Sequence, residues 1–334
     1  MAKTTRSSGK RARKASKPAD APARRVTTAA RSEEEEPLLR RQCGTMQAYF
    51  RLIEETPGYR QRQAELERVT ARRMLTGEAR RAGGPVTIPV VVHVVFNTPQ
   101  QNITSSQIKS QITALNRDFR AKNTDKSKVP APWRGLVTDT GIQFALATTD
   151  PEGNATNGVT RTQTDRAVFE QDDTMKFAAT GGVDAWPADR YLNIWVCRLA
   201  GGLLGYAQFP GGPAETDGVV INFRAFGTNG TATAPFNLGR TAVHEVGHYL
   251  NLRHIWGDTE DCSGSDFVPD TPKAQHPNRG KPTFPHISCS NGPNGDMFMN
   301  YMDYVDDDSM FMFTTQQVAR MNATLDGARG TLSA

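Results

Sequence analysis

Apolar side chains recur with different periods along this 334-residue chain, and the changes of period divide it. Residues 1–32 show no period at all: they are built mainly from Lys, Arg, Ala, Ser, Thr and Pro, with a single valine and, Met1 aside, no larger apolar side chain, too little apolar surface to offset chain entropy. Together with the acidic run Glu33–Glu36 they predict a disordered basic tail, residues 1–36. Residues 37–82 then read as two amphipathic, arginine-rich helices, MQAYFRLIEE and YRQRQAELERVTARRML, parted by Pro57 and Gly58. This stretch is too short to hold a core alone.

Gly83, Gly84 and Pro85 break the pattern, and residues 83–334 form the large unit. Residues 85–97, PVTIPVVVHVVFN, are a β-branched strand. Apolar positions 108, 112, 115 and 119 mark one face of a helix over 105–123, packed on a sheet. Further strands are predicted at 141–150, in the short TRTQT, at 191–197 and at 218–226. Glycines 201, 202 and 205 would let the sheet bend and leave an open edge, to which an extended peptide could pair by main-chain hydrogen bonds. Beyond residue 253 the chain is loop-rich until a helix over 314–329. The sum is an α/β (α+β) class: a twisted, mostly parallel sheet with a backing helix in residues 83–252, then an irregular subdomain, 253–334, ending in a helix.

Charge sharpens the division. Residues 1–82 carry +10 and the remainder −5, for +5 overall. The tail could serve nucleic acid or an acidic membrane surface, but the domain's negative charge offers no second contact, so nucleic acid is not an expected partner. No stretch reaches the length of a membrane span. The tail lacks the apolar core of a secretory signal peptide.

Chemistry concentrates in AVHEVGHYLNLRHIWGD, residues 242–258. On a helix His244 and His248 stand one turn apart on one face, able to share an ion, with Glu245 placed to take a proton from a water at that ion. On a continuing helix His254 would point about 120° away. The helix must therefore stop, and Asn251 is the residue that tolerates the left-handed angles of a C′ position. H-E-x-x-H also occurs by chance, and a His pair can be simple core. A third His at this offset argues instead for catalytic zinc, and Glu245 argues against a non-catalytic zinc-stabilised binding module, which needs no base. His93, alone in a buried strand, and Cys197, in an apolar strand, read as packed core. Cys262 and Cys289 would staple the loops, worth roughly 3–4 kcal/mol in the chain-entropy model and implying an oxidising compartment; four cysteines permit three pairings. Asp266, Asp270 and Thr271 place hard oxygens in a turn that suits calcium, with an Asx-stabilised turn as the alternative.

H-E-x-x-H-x-x-N-x-x-H together with N-Y-M-D-Y at 300–304 resembles the metzincin metallopeptidases, and specifically the pappalysin family with its ulilysin-like bacterial and archaeal members. The resemblance runs from about Cys43 to Arg329. It implies a zinc endopeptidase acting on protein or peptide substrates as a monomer, secreted by family habit. Met302 would be the apolar floor under the imidazoles and Tyr304 the phenol that reaches the metal or the oxyanion. It implies that residues 37–82 are a pro-segment whose Cys43, in R-Q-C-G-T, closes the site as a fourth ligand, against the reading of a free thiol. It also implies that Asp307 lies at the base of the S1′ pocket and selects Arg, then Lys, although Asp306 and Asp308 could shift that assignment by one. Self-cleavage would then fall near Arg80 or Arg81. Ser309 stands where ulilysin-like relatives place a cysteine, so one disulfide is expected.

Overall fold

The structure, a computed structural model, describes residues 1–4, 38–77 and 84–333. The basic tail beyond Thr4 and the linker around Arg80 and Arg81 lie outside the described residues.

β1 (Val86–Phe96) is the spine of a six-stranded sheet. It pairs in parallel with β2 (Ile142–Leu146) along its first half, β3 (Val159–Gln163) along its second half, and β4 (Leu192–Cys197) on its other edge. β6 (Val219–Asn222) follows in parallel, and β5 (Gly205–Ala207) closes the order antiparallel to it. Period-two alternation decides the faces. Ile88, Val90, Val92 and Val94 join Leu192, Ile194, Val196 and Ile221 in the main core, whereas Val95, Trp195, Cys197 and Val220 form a second core on the opposite face. His93 and Cys197 are buried, as read from sequence; His93 spans the sheet between Thr160 Oγ1 (2.8 Å) and Asn193 Oδ1 (3.0 Å).

Two helices cover the main core. α3 (Ser105–Phe119) starts at Thr104, whose hydroxyl accepts from the Gln107 amide, and buries Ile108, Leu115 and Phe119. It ends four residues before the predicted boundary because Ala121 turns left-handed (φ 46°), letting Lys122 N bond Arg117 O and Ala121 N bond Asp118 O. The predicted last strand likewise ends early: the Asn222 side chain accepts from Arg224 N at 3.1 Å and starts a short turn, Phe223–Ala225. α4 (Arg240–Tyr249) carries the histidine motif, every residue of it buried.

The irregular part contains the short parallel pair β7 (Arg279–Gly280) and β8 (Tyr304–Val305), the disulfide Cys262–Cys289, and α5 (Thr315–Leu325). Thr314 and Gln317 form a capping box on α5, and Asp270 supplements it, accepting from Thr314 Oγ1 (2.6 Å) and Gln316 N (2.9 Å). Asp266 instead closes its own turn, accepting from Val268 N (3.0 Å) and Thr271 Oγ1 (2.7 Å). The oxygens of Asp266, Asp270 and Thr271 are thus engaged in local structure, which gives the calcium reading no support.

The N-terminal helices form as predicted: α1 (Thr45–Glu55), a left-handed Gly58 (φ 73°), then α2 (Tyr59–Thr76). α2 lies on α5, with Glu67 paired to Arg320. α1 lies on β5, with Tyr49 edge-on to Phe209 at 5.5 Å. The β5 edge expected to be open is therefore taken. Cys43 bridges Gly205 in parallel, Leu204 N bonds Gln42 O at 3.0 Å, Gly44 N bonds Gly205 O at 2.9 Å, and Ala207 N bonds Thr45 Oγ1 at 2.9 Å.

Candidate active site

α4 stops where the motif requires. Asn251 has φ 73°, Asn251 N bonds His248 O (2.8 Å) and Leu252 N bonds Gly247 O (2.9 Å), the paired bonds of a Schellman cap. The Asn251 carbonyl is held by Arg320 Nε at 2.6 Å. This reversal brings His254 back to the first two rings. The three Nε2 atoms lie 3.0, 3.1 and 3.3 Å apart.

The other ring nitrogens decide the tautomers. His244 Nδ1 faces Tyr301 O, His248 Nδ1 faces Leu252 O (both 2.7 Å), and His254 Nδ1 faces Asp258 Oδ1 (2.5 Å). Carbonyls and carboxylates only accept, so each Nδ1 carries the proton and each Nε2 presents a lone pair. Burial pushes the pKa of His244 and His248 well below the ordinary imidazole range, favouring the neutral, ligating form. Zn–N bonds of about 2.0–2.1 Å at tetrahedral angles put nitrogens about 3.3 Å apart. The donor set therefore fits zinc, and Cys43 Sγ completes a buried group whose ligand atoms all lie within 4.8 Å of one another.

Glu245, between the first two histidines, is buried and has its pKa lifted to about 8 by burial. Its Oε2 accepts from Thr45 Oγ1 (3.0 Å) and Cys43 Sγ (3.3 Å), and Oε1 has no partner among the described residues. Burial first, then the Glu245 charge, push the Cys43 thiol well above its ordinary range.

Met302 is fully buried against α4, and Gly247 admits it: a Cβ at Gly247 would meet Met302 Sδ at 2.5 Å. Tyr304 packs 4.9 Å from the His254 ring, and its hydroxyl donates to Cys43 O at 3.2 Å. Trp256 stacks on the His254 ring at 4.3 Å and lies edge-on to Tyr304 at 4.7 Å.

Asp307 is fully buried beside the start of α4. Its Oδ2 accepts from Leu238 N (2.7 Å) and Arg240 N (3.3 Å), and its Oδ1 holds Arg41 Nη2 at 2.5 Å. Arg41 is itself only 1% exposed, bonds Val305 O and Thr241 Oγ1, and lies over the Phe236 ring at 5.2 Å. Asp306 is half-buried and Asp308 is exposed and paired with Lys281, so of the three acids only Asp307 lines this pocket.

His244, His248, His254, Glu245, Tyr304 and Cys43, all singled out from sequence, thus meet at one place, with Met302 packed against Gly247 of the same helix; Asp266, Asp270 and Thr271 do not join them. Sequence reasoning missed Arg41, Thr45, Asp258, Trp256 and Gly247. Asp258 stands four residues after His254, a spacing that offered a signal; Arg41 on Asp307 and Thr45 on Glu245, pairs distant along the chain, offered none.

Comparison with known proteins agrees with this geometry. The peptidase M43 family model, described as pregnancy-associated plasma protein-A, matches residues 178–326. The chain is similar to an extracellular metalloprotease of Arthroderma benhamiae, 31% identical over 245 residues that cover 71% of this chain and 76% of the relative. Among solved structures it is similar to Tannerella forsythia mature mirolysin in complex with a cleaved peptide (49% identity, TM-score 0.74, 75% of this chain and 96% of that one). It is also similar to a Tannerella forsythia promirolysin mutant (44% identity, TM-score 0.80, 88% and 97%), which extends over more of this chain, as a pro-segment would. The chain belongs to the pappalysin family of zinc metallopeptidases, with the mixed α/β fold of the metzincins and a pro-segment.

Proposed function

We propose that residues 37–82 are the pro-segment and residues 83–334 the catalytic domain, 83–252 and 253–334 being its two subdomains, of an endopeptidase that is latent in this form and cuts before Arg or Lys. The observation that carries this is the meeting of three Nε2 lone pairs, Cys43 Sγ and Glu245 at one buried point. His244, His248 and His254 hold zinc, which when bound lowers the pKa of a water and polarises the scissile carbonyl.

Everything else belongs to the chain. Glu245 takes the water's proton through its free Oε1 and gives it to the departing amine. Tyr304 donates to the developing oxyanion; in the latent form that same hydroxyl is spent on the Cys43 carbonyl. Cys43 is the latency ligand, and Thr45 holds Glu245 beside it. Loss of residues 42–45 frees base, phenol and the β5 edge together, and the edge then takes the substrate backbone.

Arg41 stands in for a substrate side chain in the S1′ pocket: a guanidinium on a buried carboxylate, stacked on Phe236. The same preference makes Arg80 or Arg81 the site of self-cleavage. Nothing supports calcium as a second cofactor. The extracellular relatives and the disulfide favour action outside the cell.

A peptide library offered to the trimmed enzyme tests this. Cleavage should place Arg, then Lys, after the cut bond, and Glu245→Gln should lose about 10²–10⁴-fold in rate at unchanged zinc content. A Glu245→Gln enzyme as fast as wild type sinks the base assignment. An apolar preference untouched by Asp307→Ala sinks the pocket.

A further inference from the structure

A second arginine of the pro-segment meets a second acid, beside the edge strand β5. Arg51 Nη2 lies 2.5 Å from Asp173 Oδ2, with side-chain exposures of 25% and 4%. The pair is thus partly open to solvent on the Arg51 side. Asp173 Oδ1 is held independently, by the hydroxyl of Tyr206 at 2.9 Å and by Lys176 Nζ at 2.7 Å. Tyr206 follows Gly205, the residue Cys43 pairs with, on the edge strand β5. Lys176 is anchored in turn by Thr216 O (2.8 Å) and by the rings of Trp195 and Tyr206.

The carboxylate is therefore fixed through one oxygen and presents the other to the pro-segment. Burial pushes the Asp173 carboxyl up, but Lys176 and Arg51 together pull it below its ordinary value, so it meets Arg51 as an anion. Asp173 also adopts a left-handed backbone conformation (φ 63°), which few side chains accept and which aims this one. Along the pro-segment Arg41 occupies the Asp307 pocket, Cys43 faces the histidines, and Arg51 reaches Asp173. If Asp307 receives the residue after the cut bond, Arg51, on the far side of Cys43 along the pro-segment, marks Asp173 as the acid facing the residues before it.

We propose that Asp173 is a specificity residue of the trimmed enzyme, its Oδ2 taking the guanidinium or ammonium of a substrate residue N-terminal to the cut bond. The proposal rests on the S1′ reading of Asp307 for its orientation. When α1 leaves, Tyr206 and Lys176 still hold Oδ1, so the anion stays in place while its outer oxygen loses Arg51. A charge-assisted bond to an arginine of the substrate restores what the pro-segment removed. The substrate class that follows is a polypeptide with basic residues on both sides of the cut.

The experiment uses trimmed enzyme and fluorogenic peptides with Arg fixed after the cut bond and Arg, Lys, citrulline or Glu placed in turn at P2, P3 and P4. Citrulline keeps the shape of arginine without its charge. The ratio of kcat/KM for Arg over citrulline is read within each enzyme, so any loss of active protein cancels. At one position wild type should favour Arg over citrulline about tenfold and disfavour Glu. Asp173→Asn, which tolerates the same backbone angles, should bring the ratio to about one; Asp173→Ser replaces it should the Asn variant not fold. Equal rates for Arg and citrulline at all three positions, or a wild-type ratio retained in the variant, overturn the proposal. Failure to cut before Arg in any peptide points instead to the S1′ reading, so the two fail distinguishably.

Discussion

A single methyl group at Gly247 would have to displace the thioether of Met302 from its place against α4. Overpacking costs about 1–3 kcal/mol and exceeds the gain of about 1 kcal/mol from alanine in a helix. Gly247→Ala should therefore lower the Tm by a few degrees, and shortening Met302 to Ala in the same chain should recover part of it. A Gly247→Ala protein as stable as the parent would show that helix and floor do not touch. At this scale the short motifs were legible because their chemistry is local: His244, His248, Glu245 and the left-handed Asn251 all follow from spacing on one helix and the need to end it. Arg41 was not, because its partner Asp307 lies 266 residues away and nothing in a sequence couples two such positions.

Among the elements, the loop between α4 and α5 shows how acids replace a core. Asp270 secures the start of α5, while Asp266 is buried beside it with its pKa raised to about 7 by burial. The sign follows from that direction. Between its ordinary value of 3.8 and about 7 the folded protein keeps a proton that the unfolded chain releases, so the contribution of Asp266 falls as pH rises through that window. Asp266→Asn removes the charge and should gain stability relative to wild type from pH 4 to 7, by on the order of 3 kcal/mol at neutral pH. A difference in Tm that stays flat over the range would mean that burial does not hold the proton there. The parallel strands were legible from β-branched runs bounded by glycine and proline; their order, set by pairings between distant segments, was not. Boundaries slipped at Ala121 and Asn222, where a left-handed residue and a side-chain cap end an element that periodicity alone would extend.

At the scale of the molecule, the positive N-terminal part and negative domain found in the sequence meet through particular pairs, Arg41 with Asp307, Arg51 with Asp173, and in the opposite sense Glu67 with Arg320. The pairs differ in what they do, and two variants of the zymogen separate them. Cys43→Ala should release activity with little change in Tm, because a small buried thiol is lost. Arg41→Ala should release activity and also destabilise the zymogen by about 3–5 kcal/mol, because it leaves the Asp307 carboxylate buried without its partner. Equal Tm values for the two would mean that Arg41 contributes no more to the closed state than the thiol. That residues 42–45 fill the β5 edge was not legible, since an edge strand looks the same in sequence whether its neighbour is a substrate or the chain's own beginning.

The parallel pairing of Cys43 with Gly205 has a consequence for why the latent enzyme survives its own chemistry. The side chain that fills the S1′ pocket comes before the residue at the metal, whereas in a peptide being cut the residue at S1′ comes after the reacting carbonyl. On the proposed S1′ reading of Asp307, the pro-segment is threaded backwards through the cleft. Its amides meet the base with carbonyl and nitrogen exchanged, so it can fill every recognition point of the enzyme and still offer no bond that the enzyme can break.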